Sequence, residues 1–143
     1  MNISENRPTL TWEAAVAVAE GAIREAARLG VKVVATVVDA SGLVAAQIRM
    51  PGAPFHCTGI AEDKAYPAAA FNLATSSGSR ILGQLSTEVQ MGLRNRPRFI
   101  TFGGGLPVAQ DGDAPGGMGV SGASEAQDEQ CAHAGLRALN LQS

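Results

Sequence analysis

The sequence is poor in the residues that nucleic-acid-binding surfaces use. Aromatic side chains make up 4% of its 143 residues, with one Trp, one Tyr and four Phe, so platforms for base stacking are scarce. The 13 Asp and Glu residues outnumber the 11 Lys and Arg residues, and the chain therefore lacks the positive charge of proteins that bind phosphate backbones. We expect no nucleic-acid partner.

Cysteine and histidine are equally scarce. Cys57 and Cys131 lack the spacing of a metal or redox motif, which favours two small buried or half-buried thiols over a disulfide. His56 and His133 do not have the paired spacing of zinc ligands. A built-in zinc site is not expected.

Long apolar runs are also missing. No stretch approaches the roughly 20 apolar residues that span a bilayer, and the N-terminus lacks the basic start and apolar core of a signal peptide. These absences predict a cytoplasmic protein with no membrane partner.

Small residues are abundant instead. The hydrophobic content of 45% is dominated by alanine, and there are 17 glycines, which suit close backbone contacts. Because so few large side chains are available for a core, we expect a homo-oligomer that buries additional area when the subunits associate.

The stretch 33–50 predicts a β-hairpin at the centre of the fold. Two runs rich in Val and Ala flank Asp39, Ser41 and Gly42, residues typical of a turn between two strands. The first run is almost entirely apolar, which indicates a strand covered on both faces.

Helical patterns occur before and after this hairpin. Residues 1–8 are predicted to form a loose arm, and Thr9 or Thr11 to cap a first helix that ends at Gly30. A second helix starts at about Ile60 and is kinked or restarted by Pro67. Two further helices are predicted over 80–90 and after Ser124.

Three more short strands complete the predicted sheet. They lie at 99–102, from residue 106, and over 117–122. The predicted fold is α+β, a single domain over residues 1–143 with the order α-β-β-α-α-β-β-β-α, in which helices pack on a mostly antiparallel sheet.

His56 and Lys64 are the polar residues of most functional interest. His56 lies in a loop rich in Gly and Pro, where binding residues concentrate, and it or its neighbour Cys57 could ligate iron. Lys64 follows Glu62 and Asp63 on a helix. It is either an ordinary exposed charge or a lysine directed at a ligand carboxylate.

The glycine-rich segments match no phosphate-binding motif. Residues 103–105 and 116–122 have neither the spacing of a P-loop nor that of a dinucleotide fingerprint. The second segment, with Ser121, runs into the start of a helix, where free N–H groups could hold a carboxylate. A serine nucleophile is not supported, because the Gly-x-Ser-x-Gly pattern is missing.

Several motifs in order resemble those of the GlcG/HbpS family of haem-binding or haem-degrading-type domains, which includes the C-terminal domain of PduO-type proteins. The motifs are Val37-Val38-Asp39-x-Ser41-Gly42-x-Val44, Arg49-Met50, Lys64-Ala65, Gly104-Gly105-x-Pro107-Val108, Gly119-Val120-Ser121-Gly122 and Asp128. The resemblance covers nearly the whole chain. It implies a five-stranded antiparallel sheet flanked by helices in a profilin-like fold, assembled as a homo-oligomer.

The chain departs from the family pattern at two prolines. Pro51 follows Arg49-Met50 where the family usually has Asp, and Pro67 stands where threonine is expected. Pro67 removes an N–H and a hydroxyl from a helix that borders the presumed pocket, which favours a pocket specialised for another small molecule.

Two functional hypotheses follow. In the first, the protein binds haem or a related tetrapyrrole, with His56 as the ligand of the metal. Its cofactor-binding residues would be Phe55, His56, Gly104, Gly105 and Ser121.

In the second, the protein is a catabolic-pathway enzyme acting on a small organic acid or ring compound. Its catalytic residues would be Arg49 and Lys64, which bind the substrate carboxylate, and His56 as general acid or base. A purely structural or assembly role remains a third possibility.

Overall fold

The first helix forms where its capping residues predict it. The computed structural model describes residues 1–141. Helix α1 spans Trp12–Leu29; the Thr11 hydroxyl accepts a hydrogen bond from the Ala14 N–H at 3.2 Å, and Gly30 ends the helix in the left-handed conformation. Residues 1–8, the predicted arm, are exposed and have no regular secondary structure.

The central hairpin consists of strands β1 (Val34–Asp39) and β2 (Val44–Arg49). An Asp39 Oδ1 atom accepts hydrogen bonds from the N–H groups of Ser41 at 2.8 Å and Leu43 at 3.1 Å, and it thereby fixes the turn. The residues of β1 are buried except at its last position. This confirms the predicted central strand.

The sheet has four antiparallel strands in the order β2-β1-β4-β3. Strand β3 spans Gly105–Gln110 and strand β4 spans Asp113–Ser121. The α+β class and the antiparallel sheet are confirmed, whereas the prediction of five strands is wrong.

The missing strand is the segment 99–102, which is irregular. Phe99 packs against a helix instead of extending the sheet: its ring contacts that of Phe71 edge to face, with centroids 6.0 Å apart. Gly104 then turns the chain into the sheet, where its carbonyl accepts a hydrogen bond from the Val120 N–H at 2.8 Å.

Helix α2 spans Cys57–Phe71 and begins three residues before the predicted start. Pro67 lies inside it, and the predicted restart does not occur. The predicted helix over 80–90 is instead a 3-10 turn (Thr75–Ser77), helix α3 (Gly78–Leu82) and helix α4 (Thr87–Arg94), because Ser86 caps a new helix. Helix α5 spans Glu125–Arg137 and starts at a capping box formed by Ser124 and Gln127.

The helices cover both faces of the sheet. Helices α1 and α5 share one hydrophobic core with residues such as Ala35, Val37 and Met118. Helix α2 covers the other face, where Cys57 and Ala61 pack against Val34. The sheet is thus the middle layer of three.

Helix α2 lies unusually close to β4. A Cβ atom placed on Gly119 would lie 2.1 Å from the carbonyl oxygen of Ala61, and one on Gly117 would lie 2.5 Å from that of Ala65. The neighbouring atoms belong to the helix backbone and cannot rotate away. Glycine at these strand positions therefore sets the distance between helix and sheet.

Replacing Gly119 by alanine is expected to destabilise the protein severely. Overpacking typically costs about 1–3 kcal/mol and occasionally more, and we expect a loss of at least about 3 kcal/mol in the free energy of unfolding because backbone must move. Urea unfolding followed by circular dichroism measures it.

Gly59→Ala in α2 is the matched control, because a Cβ there meets no atom within 4 Å. Alanine favours the helix, so stability should stay the same or rise by up to about 1 kcal/mol. Equal effects of the two substitutions would contradict the close-packing explanation.

Candidate functional site

Three residues predicted from the sequence lie at one edge of the molecule. Phe55 is 86% exposed, and the adjacent His56 is exposed at the first turn of α2 and makes no side-chain capping hydrogen bond. Arg49 ends the edge strand β2, and its Nη1 donates a hydrogen bond to the carbonyl of Ala53 at 3.2 Å. This bond ties the arginine to the loop that carries Phe55 and His56, and we call these three residues the His56 surface.

The His56 surface combines three kinds of chemistry. An exposed imidazole can ligate a transition metal. An exposed phenyl ring offers an apolar face for stacking, and a guanidinium binds carboxylates. Together these groups can bind a metal ion, an apolar ring and a carboxylate at neighbouring positions.

Lys64 lies in the interior, apart from the His56 surface. Its side chain is 1% exposed, and its Nζ donates to the Val120 carbonyl at 2.8 Å and to Asp128 Oδ2 at 3.0 Å. The other carboxylate oxygen of Asp128 accepts a hydrogen bond from the Ala123 N–H at 2.9 Å. The carboxylate that Lys64 binds in the structure is thus a protein group contributed by α5.

The environment of Asp128 reflects this buried position. Burial raises the pKa of its carboxyl above the usual range, and the neighbouring Lys64 ammonium opposes that rise. Removing either partner would leave the other buried without compensation, which is strongly destabilising. The pair therefore joins α2 to α5.

The predicted residues Gly104, Gly105 and Ser121 are also buried. A Cβ on Gly104 would lie 2.7 Å from Lys64 Nζ, and the Gly105 N–H donates to the Thr75 hydroxyl at 2.9 Å. The structure thus separates the predicted cofactor-binding residues into two groups. Gly104 lies beside the Lys64 ammonium and Gly105 beside the Lys64 backbone carbonyl, whereas Phe55 and His56 lie at the surface.

The acidic residues at the start of α5 have a role that their positions alone do not reveal. Asp128 is readily interpreted as an ordinary helix-start charge. Only its place among the family motifs indicates another role. Glu125 Oε1 accepts a hydrogen bond from the Gly103 N–H at 2.7 Å, and Glu129 Oε1 accepts one from the Ser76 hydroxyl at 2.8 Å. These carboxylates connect the segments that contain Gly103 and Ser76 to α5.

Within residues 1–141, no group of three or more His, Cys, Asp or Glu side chains is arranged to hold a metal ion. The second histidine, His133, is half-buried in α5.

Both cysteines are free and buried, in agreement with the sequence-based prediction. Burial raises the pKa of the Cys131 thiol to about 11, and the negative charge of Asp128 adds to this effect. The thiolate, which is the metal ligand and nucleophile, is therefore disfavoured at Cys131. Cys57 is 5% exposed beside the His56 surface.

A separate apolar cavity of about 190 Å³ lies at the other end of α2. Its walls come from the end of α2, from α3 and α4, and from the irregular segment 99–101. We call it the Phe71 cavity; its principal lining residues are Phe71, Leu82, Leu85, Leu93, Phe99 and Ile100.

The fold is that of a small α+β domain, and comparison with known proteins identifies its family. The model of the family "Haem degrading protein HbpS-like" matches residues 10–137. The chain belongs to this family. Over the described part of the chain, no helix is long and apolar enough to cross a membrane.

Two related sequences match this chain over different shares of their own length. The corrinoid adenosyltransferase PduO of Salmonella typhimurium is 33% identical over 120 residues, which are 84% of this chain but 36% of that protein. The chain thus spans about a third of that relative. A 15.0 kDa protein from the dhaT-dhaS intergenic region of Citrobacter freundii is 33% identical over 95% of this chain and 96% of its own length.

Solved structures share the whole fold. A PduOC:heme complex has a TM-score of 0.82 at 32% identity, over 92% of this chain and 96% of that chain. The structure of HbpS has a TM-score of 0.87 at 34% identity, over 96% of this chain and 94% of that chain.

Burial of both cysteines predicts slow modification of the native protein. With a disulfide exchange reagent at pH 8, we expect little reaction within minutes and rapid reaction of two thiols after unfolding in urea, because the native side chains are shielded. Absorbance of the released thiolate measures it.

The matched control is Ala126→Cys, which adds a thiol at an exposed position of α5 and should react promptly with one equivalent. Prompt reaction of two equivalents in the unsubstituted native protein would contradict the buried positions of Cys57 and Cys131.

Proposed function

We propose that this protein binds haem, or a related tetrapyrrole, at the His56 surface, with His56 as axial ligand of the metal. The observation that carries the proposal is an exposed imidazole, free of capping hydrogen bonds, directly beside an aromatic ring that is 86% exposed. An unengaged imidazole is available for iron. A ring that is solvated in the free protein gains by covering an apolar ligand face.

The charge of the surface also fits such a ligand. Haem carries two propionates, and Arg49 can bind one of them with the guanidinium N–H groups that do not face Ala53. The bound iron would supply ligand-exchange or redox chemistry, while the protein would supply the axial nitrogen, a stacking face and a counter-charge.

The comparisons support the ligand class. One relative with the same fold was solved as a heme complex, and the family carries a haem-related name. For the present chain, the haem assignment rests on its own His56, Phe55 and Arg49.

Assembly of several copies is part of this proposal. Leu43 in the hairpin turn and Val44 at the start of the edge strand β2 expose their apolar side chains by 66% and 45%. A second copy that packed on this edge would cover them together with the outer face of a bound ligand.

The enzymatic alternative has less support. It requires Lys64 to meet a substrate carboxylate beside Arg49, but Lys64 is bonded to Asp128 in the interior. We therefore assign Lys64 a positioning role: it holds α2 and, through α2, the backbone that presents His56.

The experiment is a haemin titration followed in the Soret region. We expect a saturable band for the unsubstituted protein. In His56→Ala the band should shift and the affinity should fall at least ten-fold, because the axial nitrogen is lost. Addition of free imidazole should restore the original spectrum.

His133→Ala is the matched control, since it removes the other histidine from a half-buried position in α5. Its titration should match that of the unsubstituted protein. A spectrum that His56→Ala leaves unchanged would reject His56 as the ligand, and the absence of a saturable band in the unsubstituted protein would reject haem binding altogether.

A further inference from the structure

We infer that the Phe71 cavity is a second binding site, for an uncharged apolar molecule about the size of one aromatic ring. This site is separate from the His56 surface, since it lies at the opposite end of α2. Its occupation is independent of any metal.

The lining of the cavity determines the class of ligand. Its walls are mainly aliphatic and aromatic side chains, and no charged residue is found among the described residues that line it. Thr75 and Thr101 also line it, and the Thr75 hydroxyl is already paired with the Gly105 backbone. Placing a charged group there would cost its hydration without an ion pair in return. The wall formed by α2 includes Pro67, which is also apolar and has no backbone N–H that could donate a hydrogen bond to a ligand.

The volume of the cavity limits the size of the ligand. Cavities of about 150 Å³ lined by Leu, Ile and Phe remain dry and bind benzene, and the Phe71 cavity has about 190 Å³. Pockets that enclose drug-sized ligands have roughly 300–1,000 Å³. A tetrapyrrole therefore does not fit, whereas a single substituted ring does.

The cavity is accessible and offers aromatic contacts. Phe71 is 57% exposed, and Leu73 and Leu85 are 44% and 39% exposed, so these side chains form a mouth. The rings of Phe71 and Phe99 meet edge to face at an interplanar angle of 89°. A bound ring can join this arrangement with the same geometry.

A ligand would also connect parts of the structure that are otherwise linked by few polar contacts. The hydrogen bonds at the start of α4 are local: Val89 N–H to the Ser86 hydroxyl at 3.3 Å, and Gln90 Nε2 to the Leu85 carbonyl at 2.9 Å. Filling the cavity adds apolar contacts between α2 and α4 and should stabilise the fold in proportion to ligand concentration.

The test uses toluene as probe and follows methyl resonances by NMR. We expect saturable shifts of the Ile81, Leu82, Leu93 and Ile100 methyl groups. Benzoate, a charged molecule with the same ring, should bind at least ten-fold more weakly. Ala74→Phe fills the cavity from its lining and should weaken toluene binding at least ten-fold, whereas Ala126→Phe, the same change on exposed α5, should leave it unchanged.

Two further variants distinguish loss of the cavity site from loss of folding, and binding in the cavity from haem binding. Leu93→Asn places an amide in the wall at a half-buried position, so it tests the site even if Ala74→Phe fails to fold, and it too should weaken binding ten-fold. His56→Ala should bind toluene like the unsubstituted protein. No saturable shift, or full binding by Leu93→Asn, would overturn the inference.

Discussion

The close packing of α2 on β4 is the constraint on which the rest of the structure depends. The contact is made between backbones, since Gly117 and Gly119 admit the carbonyl groups of the helix at distances that no side chain would allow. Alanines on the helix and glycines on the strand bury little area per residue, so close approach replaces large side chains as the source of dispersion contacts. This explains how a chain with so few aromatics builds a core.

The buried ion pair of Lys64 and Asp128 adds a polar contact to this packing. Desolvation of two charges is unfavourable, and their mutual attraction offsets it only when their remaining polar atoms also have hydrogen-bond partners. Here the Val120 carbonyl and the Ala123 N–H supply those partners. The pair links α2, the end of β4 and α5, elements that lie on both sides of the sheet. It specifies a single position of the helix along the strand.

Both proposed sites follow from the position of α2. Its first turn presents His56 next to Phe55, and its last turn supplies Phe71 to the wall of the apolar cavity. A shift of the helix along β4 would move both ends together. The two sites are thus physically connected through one rigid element, even though they suit ligands of different chemistry.

Local signals predicted much of this architecture. The cap at Thr11, the turn at Asp39 and the two-sided burial of β1 depend on neighbours in sequence, and they are found where the sequence indicates. Burial of Lys64 could not be predicted, because its partner is 64 residues away and an isolated helical lysine resembles a surface charge. The prediction of a strand at 99–102 was wrong for a related reason. Its apolar residues suit a strand and an irregular segment equally well, and only packing against the helices across the cavity favours the irregular segment.

The claim that Lys64 anchors α2 is tested most directly by a double-mutant cycle on the free energy of unfolding. Lys64→Met and Asp128→Asn should each lower it by about 3–5 kcal/mol, because each leaves a buried charge without its partner. The double variant should be far less destabilised than the sum, since no buried charge remains. Additive losses, or single losses below about 1 kcal/mol, would show that the pair does not hold the helix.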